Sequence, residues 1–408
     1  MTFRIANVLA LTILMLSFAG AADAEPPHPI DQAWDVTWSR FYREDTHLFY
    51  DYLTRYEDGS GLSHLPTAQE IQRQFPNECG YGTGMEDCMI SAGVMLSMII
   101  DRYEVTKQES LRQRAYDVFQ GIRLCATAHG ANGFLARGVC HEDLKSIYMN
   151  SSRDQYTHAV HGLWHYAKSP LCSEETRQEI REILSAIADR MIRNVTAKND
   201  YDSLRADGSR DTRGISRMWN VKGHEAARLP MIYAAAWDVT GKESYRDLWR
   251  HYIADAVKQS FDVESGQPTY AFLQMQISLD LLWQMEPDPQ LKQQMQEVMT
   301  TVAQRCAERA TAAEQRAKQL DLTRLCTDWR TGEGISSEGS YRTIWYCIRE
   351  SGEATLAQLV ANAPLSESQQ QTLERSIERL DYDRVSSNGI FFLQAAHWKS
   401  QTTPPDRN

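Results

Sequence analysis

"YEVTKQESLRQRAYD" (103–117) and "WDVTGKESYRDLWRH" (237–251) share an aromatic, Val-Thr, Glu-Ser and an Arg at a constant offset of 134 residues. In each copy an apolar segment ends, a Thr-led turn follows, and an amphipathic charged segment begins. Repetition at a fixed distance is the mark of stacked helix pairs. Outward from these two turns, apolar residues recur with the helical period over 32–57, 86–103, 109–128, 153–168, 173–195, 224–239, 243–260, 267–286, 289–320, 340–350, 366–381 and 390–398. A short extra helix is expected near 353–362, and strand patterns are almost absent.

The segments alternate in character. Those at 86, 153, 224, 267, 340 and 390 are rich in small and aromatic residues, as in "MISAGVMLSMII" and "RLPMIYAAAW". Those at 109, 173, 243, 289 and 366 are charged on one face, as in "EETRQEIREILSAIADRMI". Counting 32–57 with the second kind, the pattern predicts an all-α fold, a single-domain (α/α)6 toroid of six helical hairpins. Its inner helices bury nearly all their surface and its outer ones keep a wet face. An open helical solenoid is the alternative.

The ends of the chain read differently. "MTFRIANVLALTILMLSFAGAADA" (1–24) has Arg4, an apolar run from Ile5 to Phe18 and Ala22-Asp23-Ala24, the pattern of a cleaved signal peptide. An exported protein, periplasmic or secreted, is expected, with the toroid over 25–398 and 399–408 as a flexible tail. No later segment offers the run of about 18 apolar residues that crosses a membrane. The net charge of −11 argues against a nucleic-acid binder, which needs a basic face. It leaves an anionic small substrate open, because a local Arg/His cluster outweighs the global sign. Eight cysteines in an exported chain predict disulfides, with Cys125/Cys140 and Cys79/Cys88 as the nearest neighbours. No C-x-x-C pair points to zinc or thioredoxin-type chemistry. Asn150-Ser-Ser and Asn194-Val-Thr are formal glycosylation sequons.

In a ring of hairpins all inner helices run parallel, so their N-termini meet at one end of the central cavity. The loops feeding those ends hold the unusual residues, among them "NECGYGTGMED" (77–87), "YMNSSRDQY" (148–156), "GISRMWNVKGHEAAR" (214–228) and "TDWRTGEGISSEGSYR" (327–342). Asp154, His158, His161 and His165 form one stripe of the helix at 153, and Asp154, His158 and His161 are expected to line the cavity. Ser152 with Gln155 also reads as an S-x-x-Q capping box, which by itself accounts for both and for an acid in the first turn. Asp87, preceded by Glu86, lies one hairpin earlier. Carboxylates on neighbouring inner helices at the same end are what acid/base chemistry on a sugar requires. Two of them in one pocket push one pKa upward.

Trp219, Trp329 and Tyr341 offer flat faces for sugar rings. Arg153, Arg217 and Arg342 suit a carboxylate substrate, and His224, Glu338 and His397 add hydrogen-bonding groups. A metal held by Asp154, His158 and His161 is the rival use of the stripe, but no H-E-x-x-H motif accompanies it, so no metal or other cofactor is expected. No G-x-S-x-G elbow supports serine hydrolysis.

With "MED" (85–87) opening one inner helix and "SRDQY" (152–156) the next, the chain resembles the six-hairpin glycosidase superfamily, and within it the unsaturated glucuronyl and rhamnogalacturonyl hydrolases. The resemblance implies an oligosaccharide substrate, Asp154 as general acid/base and Asp87 as its assistant. It also implies the reaction: protonation of the C4=C5 double bond of an unsaturated uronide, addition of water at C5, and collapse of the hemiketal. A saturated glucuronide stays open as substrate. So do a polysaccharide lyase using His158 or Tyr156 as base, and a non-catalytic binding or scaffold protein. The oligomeric state is not legible.

Overall fold

The computed structural model describes residues 28–50, 65–318, 341–383, 385 and 388–402, and for 341–346 the backbone alone. Residues 1–24, expected above to be a signal peptide, and Trp329 and Glu338 lie outside the described residues.

The chain enters through α1 (Pro29–Val36), which runs into one π-helical turn at Thr37–Phe41. Two antiparallel two-residue strands follow, Tyr42–Arg43 paired with Leu48–Phe49. The helix expected over 32–57 therefore stops near Phe41. The reason is a cluster of rings: Trp38, Tyr42 and Phe49 pack on one another, and Phe41 and Phe49 both meet Phe391 edge-on. Burying that cluster requires the chain to fold back on itself.

After the short α2 (Ala68–Gln72) the hairpins begin, and they follow the predicted alternation. Inner and outer helices come in pairs: α3 (Cys88–Thr106) with α4 (Leu111–Thr127), α5 (Arg153–Lys168) with α6 (Glu174–Asn194), and α7 (Arg228–Thr240) with α8 (Glu243–Ser260). The series continues with α9 (Thr269–Met285) and α10 (Pro289–Ala317), then α11 (Tyr341–Val360) and α12 (Glu367–Glu378), and ends at the inner α13 (Gly389–Gln401). Each odd-numbered helix from α3 to α13 touches the next, and α13 returns to α3, so the ring is closed. The α1 segment lies against α13 as its outer partner. This is an (α/α)6 toroid, not an open solenoid.

Burial follows from composition. The inner α9 buries a continuous run from Ala271 to Leu282. The outer α6 buries Ile180, Ile183, Leu184, Ile187 and Met191, one stripe at helical spacing. The duplicated sequence falls on two inner-to-outer turns. Lys107 and Gly241, equivalent by the repeat, both end their inner helix in the left-handed region at φ 54° and 70°.

Three expectations need correction. The helices expected at 340–350 and 353–362 are one helix, α11, because Gly352 stays within it: a Cβ there would lie 2.6 Å from the Leu393 nitrogen, so glycine lets α11 and α13 touch. The last helix continues past 398 to Gln401, and Lys399 donates to Asp101 at 3.3 Å. The seven described cysteines, Cys125, Cys140, Cys79 and Cys88 among them, are all free and buried; Cys326 lies outside the described residues. They fill core positions in the helices and the loops packed against them. Asn150 of the first sequon is also buried, its amide donating to Asp211. Among the described residues no helix is long and apolar enough to cross a membrane.

Candidate functional site

The starts of α3, α5 and α9 and the middle of α11 surround a cavity of about 390 Å³. Asp87, Asp154, Glu350 and Glu353 line it with Arg137 and Arg349, and Tyr81 and Tyr270 supply aromatic walls. The two aspartates singled out in the sequence thus face one space. The helix expected at 224 begins at Arg228, after a 3-10 turn at Gly223–Glu225, and that start places a guanidinium behind the cavity.

Neither aspartate is used as a helix cap. Asp87 is the N-cap residue of α3 and makes no capping bond. Its Oδ1 accepts instead from Gln155 Nε2 at 2.9 Å and from Arg137 Nη1 at 3.4 Å. Arg137 also donates to the Glu86 carbonyl at 3.0 Å and to the Tyr81 hydroxyl at 3.3 Å. The capping box expected at Ser152 and Gln155 does not form, and the Ser152 hydroxyl is buried with no hydrogen bond among the described residues. Asp154 sits in the first turn of α5, where its Oδ1 accepts from Arg228 Nη1 at 2.5 Å.

Electrostatics divide the carboxylates. Burial pushes the Asp154 carboxyl up, but Arg228, Arg153 and Arg137 together outweigh it and hold it below the ordinary aspartate value. Glu353 moves the other way. Burial raises it, the Arg349 guanidinium at 2.6 Å only partly opposes this, and Glu350 and Asp87 raise it further. The raised pKa expected of this pocket is therefore that of Glu353, a residue of the expected extra helix, and burial rather than its neighbouring carboxylates is the main cause. A carboxyl pushed toward its protonated form and an aspartate pushed toward its ionised form share one cavity, the division of labour that acid/base catalysis uses.

The remaining candidates are placed as follows. Glu86 is buried beside Asp87. Arg153 is engaged by the protein: it donates to Glu225 Oε1 at 2.9 Å and to the carbonyls of Gly214 and Arg217 at 2.6 and 2.8 Å, pinning the loop over the start of α5. Arg217 pairs with Asp200. Trp219 packs edge-on against Tyr252 at 4.6 Å between ring centres. His224 is buried beside Glu225, and burial pushes its pKa down. His397 is buried against Trp398. Of these six only Glu86 lines the carboxylate cavity. Tyr341 opens α11, and neither its side chain nor that of Arg342 is described.

The histidine stripe belongs to a second space. His158, His161 and His165 line a cavity of about 250 Å³ toward the other ends of the inner helices, with Asp101, Asp280 and Lys399. Burial lowers the pKa of all three histidines to about 3, so they are neutral imidazoles. His158 lies one helical turn from Asp154 yet faces the other cavity. Among the described residues no group of three or more His, Cys, Asp or Glu is placed to hold a metal ion. Tyr156, the other base weighed for a lyase, is buried, and its hydroxyl accepts from the Leu135 N–H at 3.1 Å.

Glu353, Arg349, Glu350, Arg137, Arg228, Tyr81 and Tyr270 are site residues that the sequence reading missed. One signal was available: Arg349 and Glu353 form an i,i+4 pair of opposite charge inside a run otherwise suited to an inner helix. Charge that an inner helix must bury is more informative than charge on a wet face.

The chain matches no family model and no curated protein. Among solved structures it is similar to a cellobiose 2-epimerase from Bacillus thermoamylovorans, at 12% identity over 90% of this chain and 98% of that one, TM-score 0.48. A sugar epimerase from a ruminal bacterium is similar at 11% identity over 90% and 98%, TM-score 0.45. An α-1,6-mannanase of glycoside hydrolase family 76 from Salegentibacter is similar at 12% identity over 82% and 98%, TM-score 0.39.

Proposed function

We propose that the protein is a carbohydrate-active hydrolase of uronic-acid-containing oligosaccharides, with Glu353 as general acid and Asp154 as general base. The observation that carries this reading is the pairing in one cavity of a carboxyl raised by burial with a carboxylate held ionised by Arg228. Tyr81 and Tyr270 give a sugar ring apolar faces to lie on. Arg137 and Arg349 line the same space, and each can exchange part of its protein contacts for a uronate carboxylate. On an unsaturated uronide, Glu353 delivers its proton to C4 while Asp154 takes a proton from the water that adds at C5. The hemiketal so formed opens and expels the remaining saccharide. On a saturated glucuronide the same acid protonates the glycosidic oxygen, and the same base activates water at C1. Asp87 stands beside this pair as a third carboxylate. The leader-like segment 1–24 supports an exported enzyme.

The test is turnover by the purified full chain on unsaturated uronide, saturated uronide and neutral oligosaccharides. Loss of the double-bond absorbance, or release of a saturated uronate, is the expected result. A gain of that absorbance identifies a lyase, binding without turnover identifies a scaffold, and cleavage of neutral sugars alone removes the uronide.

A further inference from the structure

The pattern S-x-x-Q at 152–155 should fold back on itself, and Gln155 does something else. The residue is fully buried, and its Nε2 leaves α5 to reach α3, donating to Asp87 Oδ1 at 2.9 Å and to the Glu86 carbonyl at 3.3 Å. Its Oε1 is buried and has no hydrogen-bond partner among the described residues. Buried acceptors are rarely left so, because nothing repays the water they lose.

Asp87 shows the matching departure. As N-cap of α3 it would ordinarily turn its carboxylate onto the N–H of Met89 or Ile90. It makes no such bond and lines the cavity instead. Two adjacent inner helices thus begin with unused caps, and the Gln155 amide joins their starts. Arg137 reaches the same carboxylate oxygen, but from a loop and at the longer distance of 3.4 Å. Gln155 comes from the residue immediately after Asp154, on a helix held against α3 by glycine contacts: a Cβ on Gly93 would lie 2.2 Å from the His158 carbonyl oxygen.

We propose that Gln155 is a positioning residue that draws Asp87 off its helix cap, into the cavity and into register with Asp154. The inference rests on reading Asp87 and Asp154 as members of the reacting set. It adds that their mutual placement is set by one amide across the α3–α5 crossing. Glutamine suits the task because its N–H group donates to the Asp87 carboxyl oxygen without adding charge to a cavity where Glu86, Glu350 and Glu353 already crowd.

Gln155→Met keeps the length of the side chain and removes the donor. Misplacing a reacting group by about an ångström costs up to about 100-fold, so kcat should fall by about 10- to 100-fold while KM stays within about twofold. Gln155→Glu sets one carboxylate against another and should lose more. In an Asp87→Asn background, Gln155→Met should cost nothing further, because its effect passes through Asp87. A crystal structure of Gln155→Met should show the Asp87 carboxylate turned onto the N–H of Met89 or Ile90. An Asp87 left in place, an unchanged kcat, or losses that multiply in the double variant would each overturn the proposal. The crystallographic comparison stands even if no uronide is turned over, which separates failure here from failure of the proposed reaction. If Gln155→Met does not fold, the isosteric Gln155→Glu supplies the same comparison.

Discussion

Arg228 stands directly behind Asp154. Its Nη1 donates to Asp154 Oδ1 at 2.5 Å and its Nη2 to Gln274 Oε1 at 2.6 Å, and its side chain is 1% exposed against 31% for Asp154. One buried guanidinium thus ties the first turns of α5 and α7 to the second turn of α9 and favours the ionised form of a cavity carboxylate. The pair joins structure to chemistry, because the contact that holds three helix ends also keeps Asp154 ionised.

Arg228→Met should therefore have two effects. Breaking a buried ion pair by removing one partner costs about 3–5 kcal/mol, and the solvent reaching Asp154 places this case at about 3. The folded-state pKa of Asp154 lies below its ordinary value, so its stabilising contribution is present above that value and is lost as pH falls through the lowered one. Without Arg228 the upward push of burial is opposed less, and the carboxylate protonates at higher pH. The acid limb of a kcat/KM profile should move upward, as stopped assays across pH would show. An unmoved limb removes Asp154 from the role of base.

Asp154→Asn should lower turnover by about 10²- to 10⁴-fold, the usual worth of a positioned proton-transfer group. Asp154→Asn leaves the buried Arg228 without its anionic partner, so the melting temperature should fall, but Asn keeps the shape of the side chain and an oxygen that accepts from Arg228, so circular dichroism should still show the native helix content. A folded variant with near-normal turnover would return the stripe on α5 to a purely structural role.

Glu353 carries the opposite sign. Its folded-state pKa is raised, so its contribution is complete below the ordinary glutamate value and is lost as pH rises through the raised one. Glu353→Gln mimics the protonated form at every pH. Denaturant titrations at about pH 4.5 and about pH 8 should show the variant gaining on the parent at the higher pH. The stronger Arg349 contact of the ionised parent is already contained in the net upward shift, so the difference between the two pH values is the quantity to read. Turnover should fall with it, as expected for loss of the proton donor.

Gly93→Ala tests the crossing that places α3 against α5. The added Cβ meets backbone, the His158 carbonyl oxygen at 2.2 Å, which cannot move without parting the helices. A loss of about 3 kcal/mol is expected from overpacking of this kind. Gly266→Ala, with nothing within 4 Å of its Cβ, is the control and should melt with the parent.

Thiol titration of denatured, unreduced protein should find at least seven free thiols. The native protein should react slowly, since all seven are buried and burial pushes Cys172 and Cys306 up to about 12. Fewer than seven would restore the disulfides that the leader-like segment led us to expect.

The sequence by itself determined the ring. The repeat at 103 and 237 marks equivalent turns, and the alternation of all-round apolar helices with one-sided ones distinguishes inner from outer. Both signals are local or periodic, so they can be read along the chain. It also picked out Asp87 and Asp154, because helix starts on neighbouring inner helices must meet at one end of such a ring. Tertiary structure alone decided what those residues face and which charges they feel. Gln155 reads as a capping partner until α3 lies close enough to offer it Asp87. His158 reads as a neighbour of Asp154 until the closed ring places the two in different cavities. Arg228 and Glu353 enter the site from helices 74 and 199 residues beyond Asp154, and no spacing along the chain records that approach. Hydrogen-bond choice and pKa depend on distances of a few ångströms and on exclusion of water, and both arise only when the ring closes.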